Sequence, residues 1–425
     1  MITENAAMNI RITTLPNGLR VATDVMTSVE TISLGLWAGV GTRHEMADAN
    51  GVAHMLEHMA FKGTTSRSAR QIAEEIESVG GQMNAHTGRE QTAYYVKILK
   101  GDLGLGVDIL ADILQRSVFD PEELARERIV VLQELGQAED TPDDIIFDHF
   151  QATAYPDQAI GRPVLGRAEI IERMSRESLI EYRQRRYGAR SMVLVAAGAV
   201  DHDKLVEMAA RAFADLPAAA DESLEPARYV GGVFRDDDHL EQVHLVVGFP
   251  GVAYADPDYY SSLVLATLLG GGMSSRLFQE IRERRGLCYS ISAYAVPFLD
   301  GGIFGVYTGT GTREAPELVD VLTAELAGAM QAAPEDELNR ARVQLKAGLL
   351  MALESTNARM DALGSQLLIY GRPIPPDEMV SRLDAVGSAD VARVARRIFT
   401  GRPTMAAMGP LGEVDVFARL ALQTA

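Results

Sequence analysis

The chain repeats itself. The hexad Glu123-Leu124-Ala125-Arg126-Glu127-Arg128 returns as Glu337-Leu338-Asn339-Arg340-Ala341-Arg342, an offset of 337 − 123 = 214 residues in a chain of 425. Each copy lies a few residues after an acidic, Pro-containing helix start. A repeat of about half the length means that one unit is built twice, and a chain this long exceeds what a single core ordinarily holds. The expected fold class is therefore α+β, with two copies of one unit in which strands and helices mix rather than strictly alternate. The copies are unequal. Glu127 aligns with Ala341 and Glu134 with Gly348, so the first copy keeps acids that the second lacks.

Local patterns fill in each copy. Asn17-Gly18 between Ile12–Leu15 and Leu19–Ala22 reads as a hairpin, because Asn-Gly readily takes φ > 0. Thr31–Trp37 alternates as a half-buried strand, and Gly51–Phe61 has helical spacing. A second helix runs from Ser68 to Val79 and stops at Gly80-Gly81. Gln82–Thr87 and Gln91–Leu99 read as strands joined at Gly88, and Asp120-Pro121-Glu122-Glu123 opens a long helix. The stretch Pro217–Pro226 lacks periodicity, with Pro at both ends, which places a linker at 217–227 between domains 1–216 and 228–425. In the second domain, His244–Phe249, Ser290–Val296 and Gly302–Thr308 read as strands, and Tyr259–Leu269, Ser275–Arg284 and Ala315–Ala329 as helices.

Charge and cysteine usage exclude several function classes. The net charge is 40 − 59 = −19, which argues against nucleic acid, since phosphate backbones call for basic surfaces. One cysteine, Cys288, excludes a disulfide framework and a Cys-based zinc site. No apolar run reaches the ~18 residues of a membrane span. The start Met1-Ile2-Thr3-Glu4-Asn5 has neither a basic n-region nor an apolar h-region, so the expected location is the cytoplasm. Gly270-Gly271-Gly272 lacks the Lys-Ser/Thr of a phosphate loop, and Ser274-Ser275 lacks the Gly-x-Ser-x-Gly setting of a serine hydrolase.

The sharpest chemical feature is His54-Met55-Leu56-Glu57-His58. On a helix, positions i, i+3 and i+4 share one face, so two imidazoles and a carboxylate point into the same small volume. Zinc accepts imidazole nitrogen and keeps a position for water when the protein supplies three ligands. A carboxylate one step away can then take a proton from that water. A third ligand is needed, and Glu127 and Glu134, both on the long helix, are candidates.

His-x-x-Glu-His is the inverzincin signature, and Gly51-Val52-Ala53-His54-Met55-Leu56-Glu57-His58-Met59-Ala60-Phe61-Lys62-Gly63-Thr64 closely resembles the core of the pitrilysin-type zinc peptidases. It looks most like their mitochondrial-processing-peptidase-like bacterial branch. The resemblance implies that Glu134, 134 − 58 = 76 residues past the second histidine, is the third ligand to Zn²⁺. Glu127, two turns earlier on the same helix face, would orient a histidine ligand. The segment Gly81 to Thr92 is similar to a family region with an edge strand that holds the peptide by its main chain. That makes Asn84, Ala85, His86 and Thr87 the expected substrate contacts, with His86 flanking the cleft rather than binding metal. The segment Gly270 to Tyr289 is similar to the family region that carries a paired Arg and Tyr, here Arg282 and Tyr289. They would position the peptide and stabilise an oxyanion.

The implied protein is a zinc metalloendopeptidase whose two homologous domains, each a mostly antiparallel sheet packed with helices, close as a clamshell. Family precedent adds a homodimer enclosing a chamber. Glu57 would be the general base. The expected substrates are short or unfolded peptides bound extended, preferentially basic ones given the charge of −19. The competing expectation is a non-catalytic or assembly subunit of a processing-peptidase-like complex, which typically lacks the metal motif that this chain retains.

Overall fold

The computed structural model describes residues 2–5, 9–219, 223–237 and 239–412. The chain forms two compact units, each built on one sheet. The first comprises Met1–Gly136, Arg162–Glu225 and Met351–Pro375; the second comprises Gln137–Gly161, Pro226–Leu350 and Pro376–Ala425.

The first unit carries strands β1 (Ile2–Asn5), β2 (Ile10–Thr14), β3 (Arg20–Val25), β4 (Thr31–Ala38), β5 (Gln82–Thr87), β6 (Thr92–Leu99) and β7 (Met192–Gly198). They lie in the order β1-β2-β3-β7-β4-β6-β5, with β3·β7 the parallel pair and the other pairs antiparallel. Helices α1 (Val52–Ala60), α2 (Ala69–Ser78), α3 (Leu103–Gln115), α4 (Pro121–Glu139), α6 (Ala168–Ile171), α7 (Arg176–Arg186) and α8 (His202–Ala212) cluster with one sheet face. Strand alternation decides which residue meets which layer. Leu34, Leu36, Leu194 and Ala196 join those helices, whereas Trp37, Ala93, Val193, Val195 and Ala197 point the other way. That opposite face is covered by α12 (Thr356–Tyr370), through Met360, Leu363 and Leu367. Central strand β7 is thus apolar throughout, because both its faces are buried.

The second unit repeats the scheme. Its strands are β8 (Gly232–Asp236), β9 (Val243–Pro250), β10 (Cys288–Pro297), β11 (Gly302–Thr310) and β12 (Thr404–Met408). The order β10-β11-β9-β12-β8, with β12·β8 parallel and the rest antiparallel, reproduces β5-β6-β4-β7-β3 strand for strand. One face carries α9 (Tyr259–Gly270), α10 (Ala315–Ala329), α11 (Glu335–Ala352), α13 (Pro376–Asp384) and α14 (Ser388–Phe399). The other is covered by α5 (Pro142–Ala154), whose Ile146, Phe150 and Ala154 pack with Val246, Ala406 and Met408. The repeated hexads fall on α4 and α11, where Leu124 and Leu338 are both buried.

The observed division differs from contiguous domains 1–216 and 228–425 in one respect that matters. Helix α5 lies in the first half of the chain yet covers the second sheet, and α12 lies in the second half yet covers the first. The stretch expected as a linker is also pinned to the first unit. Pro217 O accepts from Ala189 N at 2.7 Å, and Glu225 O accepts from the Arg43 guanidinium at 2.7 Å. The expected helix at Ser275–Arg284 is a π-helical segment over Phe278–Arg284. Among the described residues, no helix is long and apolar enough to cross a membrane.

The α12 packing depends on a residue without a side chain. A Cβ at Gly364 would lie 2.6 Å from Trp37 Nε1, and Trp37 is only 3% exposed. Gly364→Ala gains up to about 1 kcal/mol of helix propensity, but overpacking costs about 1–3 kcal/mol. The expected net effect is a lower urea midpoint, and an unchanged or higher midpoint would contradict this packing.

Candidate metal centre

The helix that carries the histidine motif is only nine residues long, so its position depends on what holds its ends. Gly51 enters it at φ +94°, a conformation that favours glycine, and an added Cβ would sit 2.9 Å from Gly166 Cα. The free N–H groups of the first turn are met by Glu45. This buried carboxylate accepts from Gly51 N at 2.9 Å, Ala53 N at 2.8 Å and Asn50 Nδ2 at 2.8 Å. Burial pushes the Glu45 carboxyl up to about 7 against the pull of these donors. The Arg162 guanidinium donates to the Glu45 carbonyl at 2.6 Å, which ties this cap to the segment after α5.

With α1 fixed, the i, i+4 spacing stacks two imidazoles, their ring centroids 4.6 Å apart and their planes at 70°. Helix α4 brings Glu134 to them. Glu134 Oε2 lies 3.7 Å from His54 Nε2 and 3.5 Å from His58 Nε2. Among the described residues, His54, His58 and Glu134 are the one group of three or more His, Cys, Asp or Glu side chains whose donor atoms gather closely enough to share a metal ion. Zinc–ligand bonds of about 2.0–2.2 Å in a tetrahedron separate the ligand atoms by ~3.3–3.6 Å. The His58–Glu134 spacing falls within that range and the His54–Glu134 spacing lies just beyond it, so a small adjustment would let the three atoms share one ion.

The protonation pattern fits as well. His58 Nδ1 donates to Glu127 Oε2 at 3.0 Å, since a carboxylate can only accept, and this leaves the Nε2 lone pair facing Glu134. Glu127 is 4% exposed and offers its other oxygen to Lys62 Nζ at 2.6 Å. Burial and the neighbouring His58 hold His54 down to about 4, so its imidazole stays neutral near pH 7. The His54 Nδ1 atom is buried with no hydrogen-bond partner, so packing rather than a hydrogen bond orients that ring.

Glu57 stands outside the three-residue group. Its Oε2 accepts from the Thr87 hydroxyl at 2.5 Å, and burial raises its carboxyl above the usual carboxylate range. Thr87 ends β5, which forms one edge of the sheet. Strand alternation splits the four expected contact residues. Ala85 packs with the α1 layer and Thr87 reaches Glu57, whereas the His86 ring lies edge-on to Trp37 at 5.4 Å on the opposite face. Asn84 turns its Oδ1 back to accept from Ala85 N at 2.9 Å.

Arg282 and Tyr289 belong to the second unit, where they touch one another. Arg282 Nε donates to Tyr289 O at 2.8 Å, and its guanidinium lies 4.7 Å from the Phe278 ring centre and 5.6 Å from that of Tyr289. The Tyr289 side chain is 84% exposed.

Sequence reasoning passes over Glu45 and Lys62. Lys62 lies inside the matched motif, but no spacing rule couples it to Glu127. Glu45 sits nine residues before His54, where a helix cap is not read from adjacent positions.

Comparison with known proteins adds a lineage. Residues 20–168 match the profile described as Insulinase (Peptidase family M16), and residues 173–345 match Peptidase M16 inactive domain. An uncharacterized zinc protease of Rickettsia felis is 39% identical over 95% of this chain and 98% of its own length. The probable mitochondrial-processing peptidase subunit beta of Arabidopsis thaliana is 37% identical over 99% of this chain and 82% of its own. In solved structures, a protease from Helicobacter pylori shares the fold at a TM-score of 0.85 and 21% identity, covering 94% of this chain and 99% of that one.

Removing the α1 cap tests the geometry directly. Glu45→Ala strips the buried Gly51 and Ala53 N–H groups of their acceptor, at about 1–3 kcal/mol for a group left unpaired. We expect urea unfolding to report a loss of about 2–4 kcal/mol. A loss below about 0.5 kcal/mol, the size of an ordinary surface change, would refute the capping role.

Proposed function

The chain belongs to the M16 insulinase family, the pitrilysin-type peptidases, in its mitochondrial-processing-peptidase-like branch, and on that premise we propose that it is a zinc-dependent endopeptidase. Its substrates are short or unfolded peptides, preferentially basic, held extended along β5. The observation that carries this reading is the convergence of His54 and His58 from α1 with Glu134 from α4, with Glu57 outside that group and bonded instead to Thr87.

His54, His58 and Glu134 would hold the ion. When bound, zinc supplies a Lewis acid that polarises the scissile carbonyl and makes a water easier to deprotonate. Glu57 accepts that water's proton and delivers it to the leaving amine. The buried setting that raises Glu57 suits a group that must first take a proton and then release it. Glu127 keeps His58 in the tautomer that ligation requires. The peptide main chain pairs with the outer edge of β5, a mode that takes extended substrates of many sequences. Arg282 and Tyr289 contact the peptide from the second unit, the tyrosine hydroxyl helping to stabilise the oxyanion. Two copies form a homodimer that encloses the reaction in a chamber, in the cytoplasm.

A second reading has its own support. The match of residues 173–345 to a profile named as inactive, and of 99% of the chain to a protein named as a subunit, fits a non-catalytic or assembly role. Hydrolysis and zinc content of the pure protein separate the two.

Two outcomes are expected. Glu57→Gln keeps stoichiometric zinc by metal analysis and loses about 10²–10⁴-fold in turnover, the usual contribution of a general base. Near wild-type hydrolysis by that variant would refute the assigned base, and hydrolysis that persists in a chelator would refute the metal. In a panel of equal-length peptides, cationic members should be cut fastest, as the net charge of −19 draws them in. Rates independent of peptide charge would end that claim.

A further inference from the structure

We propose that Thr87 is a positioning residue that ties the base Glu57 to the peptide-binding edge, an inference that rests on the peptidase reading above. Thr87 has two different surfaces. Its main chain closes the edge strand β5, and its hydroxyl donates to Glu57 Oε2 at 2.5 Å. A carboxylate that must collect a proton from water needs one oxygen free and a fixed orientation. Thr87 occupies Oε2 and leaves Oε1 for the water. Its β-branched side chain restricts χ1, so the hydroxyl is presented with little rotational freedom.

The surroundings make this link rigid. The turn that follows Thr87 is fastened to the segment Gly41–Glu45. Thr42 N donates to Gly88 O at 3.1 Å, and Arg43 N donates to Arg89 O at 2.8 Å. The fully buried Arg43 guanidinium also pairs with Glu90 at 2.5 Å. The same segment ends in Glu45, the carboxylate that caps α1. Five consecutive residues therefore set both the end of β5 and the start of the helix that bears Glu57. A peptide docked on β5 is then referenced to the base through one side chain. Neither hydrophobic packing nor the metal ligands supply that reference, because Glu57 has no other hydrogen bond among the described contacts and Ala85, the neighbouring inward residue, has no polar group.

Thr87→Val keeps the branched shape and removes the donor, and Thr87→Ser keeps the donor and removes the branch. With the intact protein and a cleavable peptide, Thr87→Val should lower kcat about 10–100-fold, the cost of misplacing a reacting group by about 1 Å. KM and zinc content should stay within about twofold of wild type, well under the tenfold that 1.4 kcal/mol of binding would produce. Thr87→Ser should recover most of the lost turnover. A purely structural role would instead raise KM or lower zinc content, and serine would then rescue no better than valine. Wild-type kcat in Thr87→Val, or equal losses in both variants, overturns the proposal while leaving the peptidase reading intact. Absence of hydrolysis by the wild-type protein overturns both.

Discussion

Glu45 does for this protein what a longer helix would otherwise do for itself. Nine residues of α1 carry both histidines and the acid between them, and a helix that short is not stable alone. A buried carboxylate that meets two of its first N–H groups substitutes for length, and it also favours the positive end of the helix dipole. The cost is a charge removed from water, visible in the rise of the Glu45 carboxyl to about 7. Gly51 and Gly166, both at positive φ, let the backbone approach closely enough for this arrangement to close. Everything downstream inherits that fixed starting point, including the angle between the imidazoles and their distance from α4.

The two units share a topology but not a chemistry. Where α4 has buried Glu127, α11 has buried Ala341, and where α4 has Glu134, α11 has Gly348. One frame has thus been kept twice while the acids that hold an imidazole and would hold a metal survive in one copy. An acid buried beside Lys62 and His58 has partners for both oxygens, whereas the same acid at position 341 would need partners of its own. The second copy retains a different kind of feature, an arginine held between two rings next to an exposed tyrosine.

What was readable in the sequence was what is local. The range Gln82–Thr87 matched a strand to the residue, and the i, i+3, i+4 pattern put His54, Glu57 and His58 together because helical periodicity alone does so. Glu134 was different. Its 76-residue separation from His58 carries no periodicity, so residues alone left it level with Glu127 and only the family resemblance separated them. That β5 is an edge follows from strand order, a non-local property that came from the same resemblance. In sequence the π-helical turn at Phe278–Arg284 is indistinguishable from an ordinary helix, because both show apolar residues at similar spacing. Contiguous domain bounds miss the exchange of α5 and α12, because an amphipathic helix announces that it needs a partner but not which one.

That exchange of helices constrains how the protein can be divided. A chain severed after residue 225 would leave Ile10, Ala22, Trp37, Ala93, Val193 and Val195 facing water, since α12 would be lost with the other fragment. The remaining fragment would lack α5 and bare Val246, Ala406 and Met408 in the same way. Each half carries its own sheet but lacks the helix that covers one of that sheet's faces. The repeat therefore works as one polypeptide, in which loss of either half uncovers an apolar surface near the middle of the other's sheet.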